Sequence, residues 1–391
     1  MPDLFGLLSA HLAHTWKPQR TPELRRKYRC RCGRAVFFRN SVCLACKTPL
    51  GFWTGTLRLH PLRDGPSPGS WLLHGSGSDT PPLRRCVNFD AVGCNWLLTD
   101  DESNAHQGLC RACRLNRTIP DLADADNRRW WRSIEIAKRR LVSELLGLSL
   151  VVRSKVTEDA EHGLMFDFLR SPPGGPAVMT GHADGLITLN VEEADDARRE
   201  HIRTAMCEPY RALLGHLRHE VGHYYWDRLV RDGPWLEPFR QRFGDERTDY
   251  GGALKTHYAQ GPAIDWPQRC VTSYAASHPW EDWAETFAHY LHMIDTVQTA
   301  LSYGLEADDV EVEVEPYGTD ALDEPDDPGS ARFLGFVNAW LELTMMVNEL
   351  SRSMGQPDFY PFVLSRPAVA KLHFVHRVIS AGAREPLASV K

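Results

Sequence analysis

The sequence predicts an α+β protein in two parts, a cysteine-rich front region over residues 1–122 and a larger mixed domain over residues 123–391. Three observations predict it. Eight of the ten cysteines lie in two sets before residue 114. Strand-like runs at residues 148–156, 164–169 and 186–191 are followed by long stretches of helical periodicity. Two histidines stand one helical turn apart, at 219 and 223, inside the first of those stretches.

Taken in order, residues 1–14 include the apolar run Leu4-Phe5-Gly6-Leu7-Leu8. No basic segment leads it, and Asp3, His11 and His14 interrupt it, so it lacks the build of a signal peptide. Arg20, Arg25, Arg26, Lys27, Arg29, Arg31 and Arg34 then crowd the first cysteines. Such a run reads as a solvated basic surface, and it leaves an acidic protein partner open for this region.

Cys30-Arg31-Cys32 and Cys43-Leu44-Ala45-Cys46 are two pairs with ten residues between them, the layout of a zinc ribbon. Cys86, Cys94 and Cys110-Arg111-Ala112-Cys113 form a second, less regular set. Four thiolates close tetrahedrally around zinc and supply folding energy directly, so short segments can order without a large core. Disulfides are the competing reading. A single residue between Cys30 and Cys32 would strain a bridge, which favours metal. Residues 55–82, rich in Gly, Pro and Ser, read as a loop joining the two sets.

Residues 126–146 have helical periodicity behind an acidic or amide cap and open the second domain. In His219-Glu220-Val221-Gly222-His223 both imidazoles share one helix face. Leu213, Leu214 and Leu217 set the apolar spacing before the motif, and Val221, Tyr224 and Tyr225 continue it. Two such histidines can grip one zinc ion while Glu220 takes the proton of the metal-acidified water. A third ligand has to come from elsewhere. Residues 277–292 read as a helix with Pro279 at its first position, where a missing N–H costs nothing. Glu281 and Glu285 share a face of it, and His289 and His292 continue near that face. Trp280, Trp283, Phe287 and Tyr290 surround the two acids with aromatic bulk, and a carboxylate buried there needs a partner.

Residues 306–329 are acidic with few large apolar side chains and read as a solvated loop, a mobile flap being the sharper alternative. Residues 330–354 read as a helix on the catalytic core. Residues 358–363 and 368–379 complete the C-terminal packing layer.

A His-Glu-x-x-His helix followed by a helix with Glu-x-x-x-Glu resembles the gluzincin metallopeptidases. The resemblance implies that Glu281 is the third zinc ligand and Glu285 the outer partner of His219 or His223. The residues alone leave the opposite order open. Tyr274, seven residues before Glu281, stands where some gluzincins carry a tyrosine that donates to the developing oxyanion, ordinary packing being the other reading. Zincins receive extended substrate on an exposed edge strand, and residues 185–190 match that strand by analogy. With the cysteine sets, the segment over residues 109–121 and the block over residues 215–226, the chain resembles a family of bacterial zinc-binding metallopeptidases with an N-terminal zinc ribbon. The similarity runs from about residue 30 onward. It implies a zincin-like catalytic domain, one catalytic and two structural zinc ions, and a peptide or protein substrate.

Composition narrows the function classes. At 391 residues, with 42% hydrophobic content and 12 Trp, the chain can build a sizeable core in two or three domains. A net charge of -6 argues against non-specific nucleic-acid binding by the chain as a whole. No run reaches the ~18 apolar residues of a membrane span. Cysteines in metal-like spacing fit a reducing cytoplasm, and the leftover Cys207 and Cys270 read as small buried hydrophobes. The expected function is amide hydrolysis with Glu220 as general base. A zinc-ribbon adaptor with an inactive peptidase-like domain is the competing class, and the intact Glu220 favours the enzyme.

Overall fold

The computed structural model describes residues 26–77, 80–172, 174–205, 210–305 and 314–382. The chain divides into two compact units between residues 202 and 203. In the first, strands β1 (Tyr28–Arg29) and β2 (Ala35–Val36) pair antiparallel around the first cysteines. Gly33 makes the turn at φ +81°, a left-handed conformation glycine adopts without strain.

Five strands follow: β3 (Leu50–Trp53), β4 (Arg58–Asp64), β5 (Ser70–Leu73), β6 (Leu83–Arg85) and β7 (Trp96–Thr99). They close into a barrel, antiparallel from each to the next and sealed by a parallel pairing of β3 with β7. Its interior is Leu62, Leu73, Leu83 and Leu97, with Trp53 and Trp71 packed against them. This corrects the loop expected over residues 55–82, since β4 and β5 lie inside it. The Gly, Pro and Ser residues there punctuate short strands, and Leu57, Leu59, Leu62 and Leu73 between them are buried.

Helix α1 (Ala125–Gly147) begins where the Asp124 carboxylate accepts the N–H groups of Asp126 and Asn127, at 2.8 and 3.0 Å. Its buried face includes Trp131, Ile134, Leu141 and Leu145. A four-stranded sheet, in the order β10 (Gly181–Ala183), β11 (Leu186–Asn190), β9 (Met165–Leu169), β8 (Asn116–Thr118), completes the unit. Two expectations change here. Residues 148–156 contribute an isolated bridge from Ser154 to Leu164 and no strand. Strand β11 is internal rather than an edge, because β10 pairs with it antiparallel and β9 parallel. Both rows of its backbone groups are spent in the sheet, so an extended peptide cannot add to it.

The second unit is helical in its described residues. Its principal helices are α2 (Leu213–Leu229), α3 (Leu236–Phe243), α4 (Tyr250–Gln260), α5 (Pro279–Tyr303), α6 (Ser330–Ser353) and α7 (Arg366–Gly382). Helices α2 and α5 cross at Gly222, where a Cβ would lie 3.0 Å from the Ala284 Cα and 3.1 Å from its carbonyl oxygen. Glycine is what permits that approach. Trp283 Nε1 donates to the Gly222 carbonyl at 2.9 Å, and the buried pair Arg218–Asp295 adds a 3.1 Å tie. Helix α7 joins α5 through Lys371–Asp282 at 2.5 Å and Tyr290–His376 at 2.8 Å.

The acidic stretch is irregular where it is described, with one anchored point. Residues 306–313, like Cys207 and the first 25 residues, lie outside the described residues. Over residues 314–329, Ala321 and Leu322 are buried, and Asp323 pairs with Arg242 at 2.7 Å and Arg377 at 2.6 Å. These contacts anchor one point of a stretch in which Glu315, Asp320, Glu324 and Asp326 are exposed, as expected of a solvated loop. Among the described residues no helix is long and apolar enough to cross a membrane.

Candidate metal centres

The middle of α2 and the start of α5 bring the histidines and the acids together. Along α2, His219 and His223 are one turn apart, and His223 is buried. Helix α5 opens with Pro279 at its first position, and the His278 side chain caps it by accepting the Trp280 N–H on Nδ1 at 3.1 Å. Its other nitrogen meets the Thr248 carbonyl at 3.2 Å. Glu281 therefore sits in a braced first turn, 1% exposed, facing α2.

The two acids take different positions. Glu281 Oε2 lies 3.0 Å from His219 Nε2, and its Oε1 lies 3.6 Å from His223 Nε2. The two Nε2 atoms are 3.2 Å apart. One donor atom from each of His219, His223 and Glu281 falls within 4.8 Å of the others. Glu285 stands behind this group, with Oε1 2.7 Å from His219 Nδ1 and Oε2 accepting from the Thr272 hydroxyl at 2.7 Å. Burial opposes ionisation of Glu285, but the hydrogen bond and charge of His219 bring its carboxyl down to about 2. Glu281 is likewise held well below the usual carboxylate range: burial raises it, and the two imidazoles outweigh that.

Glu220 is 8% exposed, and its Oε2 has no hydrogen-bond partner among the described residues. Burial pushes its carboxyl pKa up, an effect His219 and His223 partly offset. The Tyr274 ring is 5.9 Å from that of His219 and 5.7 Å from that of His257. Burial and then the Glu281 charge raise its phenol, which stays protonated.

Two residues of this constellation carry no sequence signal. Tyr250, at the first position of α4, donates its hydroxyl to Glu281 Oε1 at 2.6 Å. Thr272 braces Glu285 from a turn. Neither hydroxyl belongs to a repeating pattern or to a charge pair that could be read in the linear chain.

The cysteines gather as their two sets. In the first, Cys30 and Cys46 sulfurs are 3.4 Å apart and Cys32 and Cys43 sulfurs 3.8 Å apart. Arg31 donates to the Thr48 hydroxyl at 2.8 Å, and Thr48 lies 3.1 Å from the Cys46 sulfur, whose pKa its hydrogen bonds lower to about 6. Cys30 is pushed up to about 11 by burial. In the second set, Cys94 lies 3.6 Å from Cys110 and 3.7 Å from Cys113, and all four cysteines are buried. Burial works against a thiolate at Cys94, but hydrogen bonds from the other three cysteines and the Arg139 charge hold it well below the usual thiol range. The described cysteines are all free thiols, so the disulfide alternative finds no pair. Four sulfurs in each cluster suit a closed structural zinc site, whereas two imidazoles and one carboxylate are a donor set that leaves a coordination position open. Cys270, outside both sets, is buried as expected.

Comparison with known proteins finds zinc-binding families along both parts of the chain. A family described as "Putative zinc-binding metallo-peptidase" matches residues 127–378, and a zinc-ribbon domain matches residues 27–124. An uncharacterized protein of Mycobacterium bovis is 38% identical over 356 residues, 90% of this chain and 95% of its own. Uncharacterized proteins of two Mycobacterium tuberculosis strains match to the same extent. No solved structure matches the chain. With a family match over more than half its length and relatives similar nearly end to end, the chain belongs to this zinc-binding metallopeptidase family and carries a zinc-ribbon domain ahead of the matched region.

Proposed function

We propose that the chain hydrolyses an amide bond of a peptide or protein, with a catalytic zinc ion held by His219, His223 and Glu281 in a gluzincin-like domain. Two further zinc ions, in the sets Cys30, Cys32, Cys43, Cys46 and Cys86, Cys94, Cys110, Cys113, are structural. The observation that carries this reading is Glu220, a buried carboxylate next to the two histidines with an oxygen that no described residue uses. A binding module has no need of such a group beside the metal.

Zinc bound by this donor set supplies an acidified water and a Lewis acid for the scissile carbonyl. Glu220 accepts the proton of the attacking water and returns it to the leaving nitrogen. Its buried oxygen, free of any described partner, suits a group that has to hold a proton between two steps. Tyr274, protonated throughout, donates to the carbonyl oxygen as charge develops there. Glu285, braced by Thr272, fixes the His219 ring with Nε2 turned toward Glu281 and His223. A division at residues 122 and 123 belongs to this reading, supported by the adjoining family matches at residues 27–124 and 127–378. Eight metal-binding thiolates call for a reducing compartment, for which we propose the cytoplasm.

Glu220→Gln tests the reading, because it keeps size and helix propensity while removing the base. The variant should retain its zinc and lose turnover by about 10²–10⁴-fold on a peptide pool prepared from a cell lysate. An adaptor role replaces hydrolysis if wild type and variant cleave nothing differently and both capture the same protein.

A further inference from the structure

We infer that Tyr250 is a positioning residue for the catalytic metal, fixing how the Glu281 carboxylate is turned between the two histidines. The inference rests on the proposal that Glu281 is a ligand. Its basis is geometric. Tyr250 donates its hydroxyl to Glu281 Oε1 at 2.6 Å, while Oε2 lies 3.0 Å from His219 Nε2. The oxygen that Tyr250 holds is also the one 3.6 Å from His223 Nε2, and the other is thereby turned toward His219.

The segment that brings this hydroxyl in has few other duties. Helix α4 contains no buried residue, so it adds little to the core. It is bounded by Gly244 at φ +108° and Gly261 at φ +79°, conformations open to glycine. Its start is nevertheless pinned at several points. Asp249 caps it by accepting the Gly252 N–H at 3.1 Å, and the Thr248 carbonyl is tied to His278, the same residue that caps α5. The Tyr250 ring stands edge-on to His278 at 5.1 Å and to Trp280 at 5.8 Å, and Trp280 in turn lies 4.6 Å from the His223 ring. His278 therefore sets the start of both helices, and Tyr250 and Glu281 meet between them. A hydroxyl delivered so firmly to a buried carboxylate, by a helix that otherwise packs on the surface, points to control of that carboxylate. Without it, Glu281 can rotate about its terminal bond and offer either oxygen.

The test is chelator competition on the full zinc-loaded chain, following metal content by atomic emission at rising concentrations of a zinc chelator. Tyr250→Phe removes the hydroxyl and keeps the ring against His278 and Trp280. It should release one zinc per chain at ~10–100-fold lower chelator than wild type, the usual cost of losing an outer partner of a ligand. The cysteine-held zinc and the far-ultraviolet spectrum should be unchanged, which a general loss of structure would not allow. Tyr250→Ala, lacking the ring as well, should be at least as weak. The inference is overturned if Tyr250→Phe releases zinc as wild type does while Glu281→Gln loses it, or if the Ala variant alone is weakened. Should Glu281→Gln hold its zinc like wild type, the ligand assignment itself fails, and this inference with it.

Discussion

His289 lies one turn beyond Glu285 on α5, with Nδ1 2.6 Å from the Tyr360 hydroxyl, and His292 packs against the rings of Trp340 and Tyr360. Burial depresses both imidazoles, His289 to about 4 and His292 to about 3. Both are neutral in the fold, whereas the unfolded chain charges them near 6.5. Stability from their burial is complete above that pH and is lost as pH falls from 6.5 toward 4 and 3. Each pH unit in that window costs up to about 1.4 kcal/mol per histidine. Urea midpoints at pH 7 and pH 5 should therefore differ less in His292→Phe, which keeps an aromatic ring in place, than in wild type. An equal acid sensitivity would acquit His292. At this scale the linear chain disclosed His219, Glu220, His223, Glu281 and Glu285, because charge and helical spacing are local. It hid Tyr250 and Thr272, whose partners lie 31 and 13 residues away and whose hydroxyls look like those of any surface residue.

Among the elements, the crossing of α2 and α5 governs the proposed metal donors, since it decides whether Glu281 reaches the imidazoles. Gly222→Ala would place a methyl 3.0 Å from the Ala284 Cα. Alanine favours a helix over glycine by ~1 kcal/mol, but overpacking at such a contact costs about 1–3 kcal/mol, so a net loss is expected. Thermal unfolding should move to lower temperature, and chelators should remove zinc more readily as the helices part. A variant with unchanged midpoint and zinc retention would show that the crossing adjusts without cost. Long helices were legible because their pattern closes within one turn. The barrel was not, since four of its five strands are only three or four residues long and Gly and Pro break the sequence between them. Its seal also joins Phe52 to Trp96, a pairing no local window contains. Strand β11 was recognised as a strand and misjudged as an edge for the same reason, neighbours being a property of the sheet and not of the segment.

For the whole molecule, the proposed centres predict about three zinc ions per chain, and elemental analysis of protein purified without added chelator checks it. Two ions would remove the second cysteine set as a metal site, and one or none would undo the architecture. Cys46→Ser should lower the count by one and reduce stability, because thiolate sites contribute folding energy. Net charge and composition said nothing of this division of labour; the cysteine spacings did.

The second cysteine set has a particular relation to the barrel. Cys86 follows β6 directly and donates its N–H to Trp96 of β7 at 3.1 Å, Cys94 just precedes β7, and Cys110 and Cys113 come after it. Sulfurs from both sides of the closing strand thus converge on one point. During synthesis the first set is complete once residue 46 has left the ribosome, before any barrel strand exists. The second waits for residue 113, when all five strands have emerged. On the proposed stoichiometry, chain order is also assembly order: a nascent chain can capture the first ion at once, the second only when every strand of the barrel has emerged, and the third only after Glu281 follows.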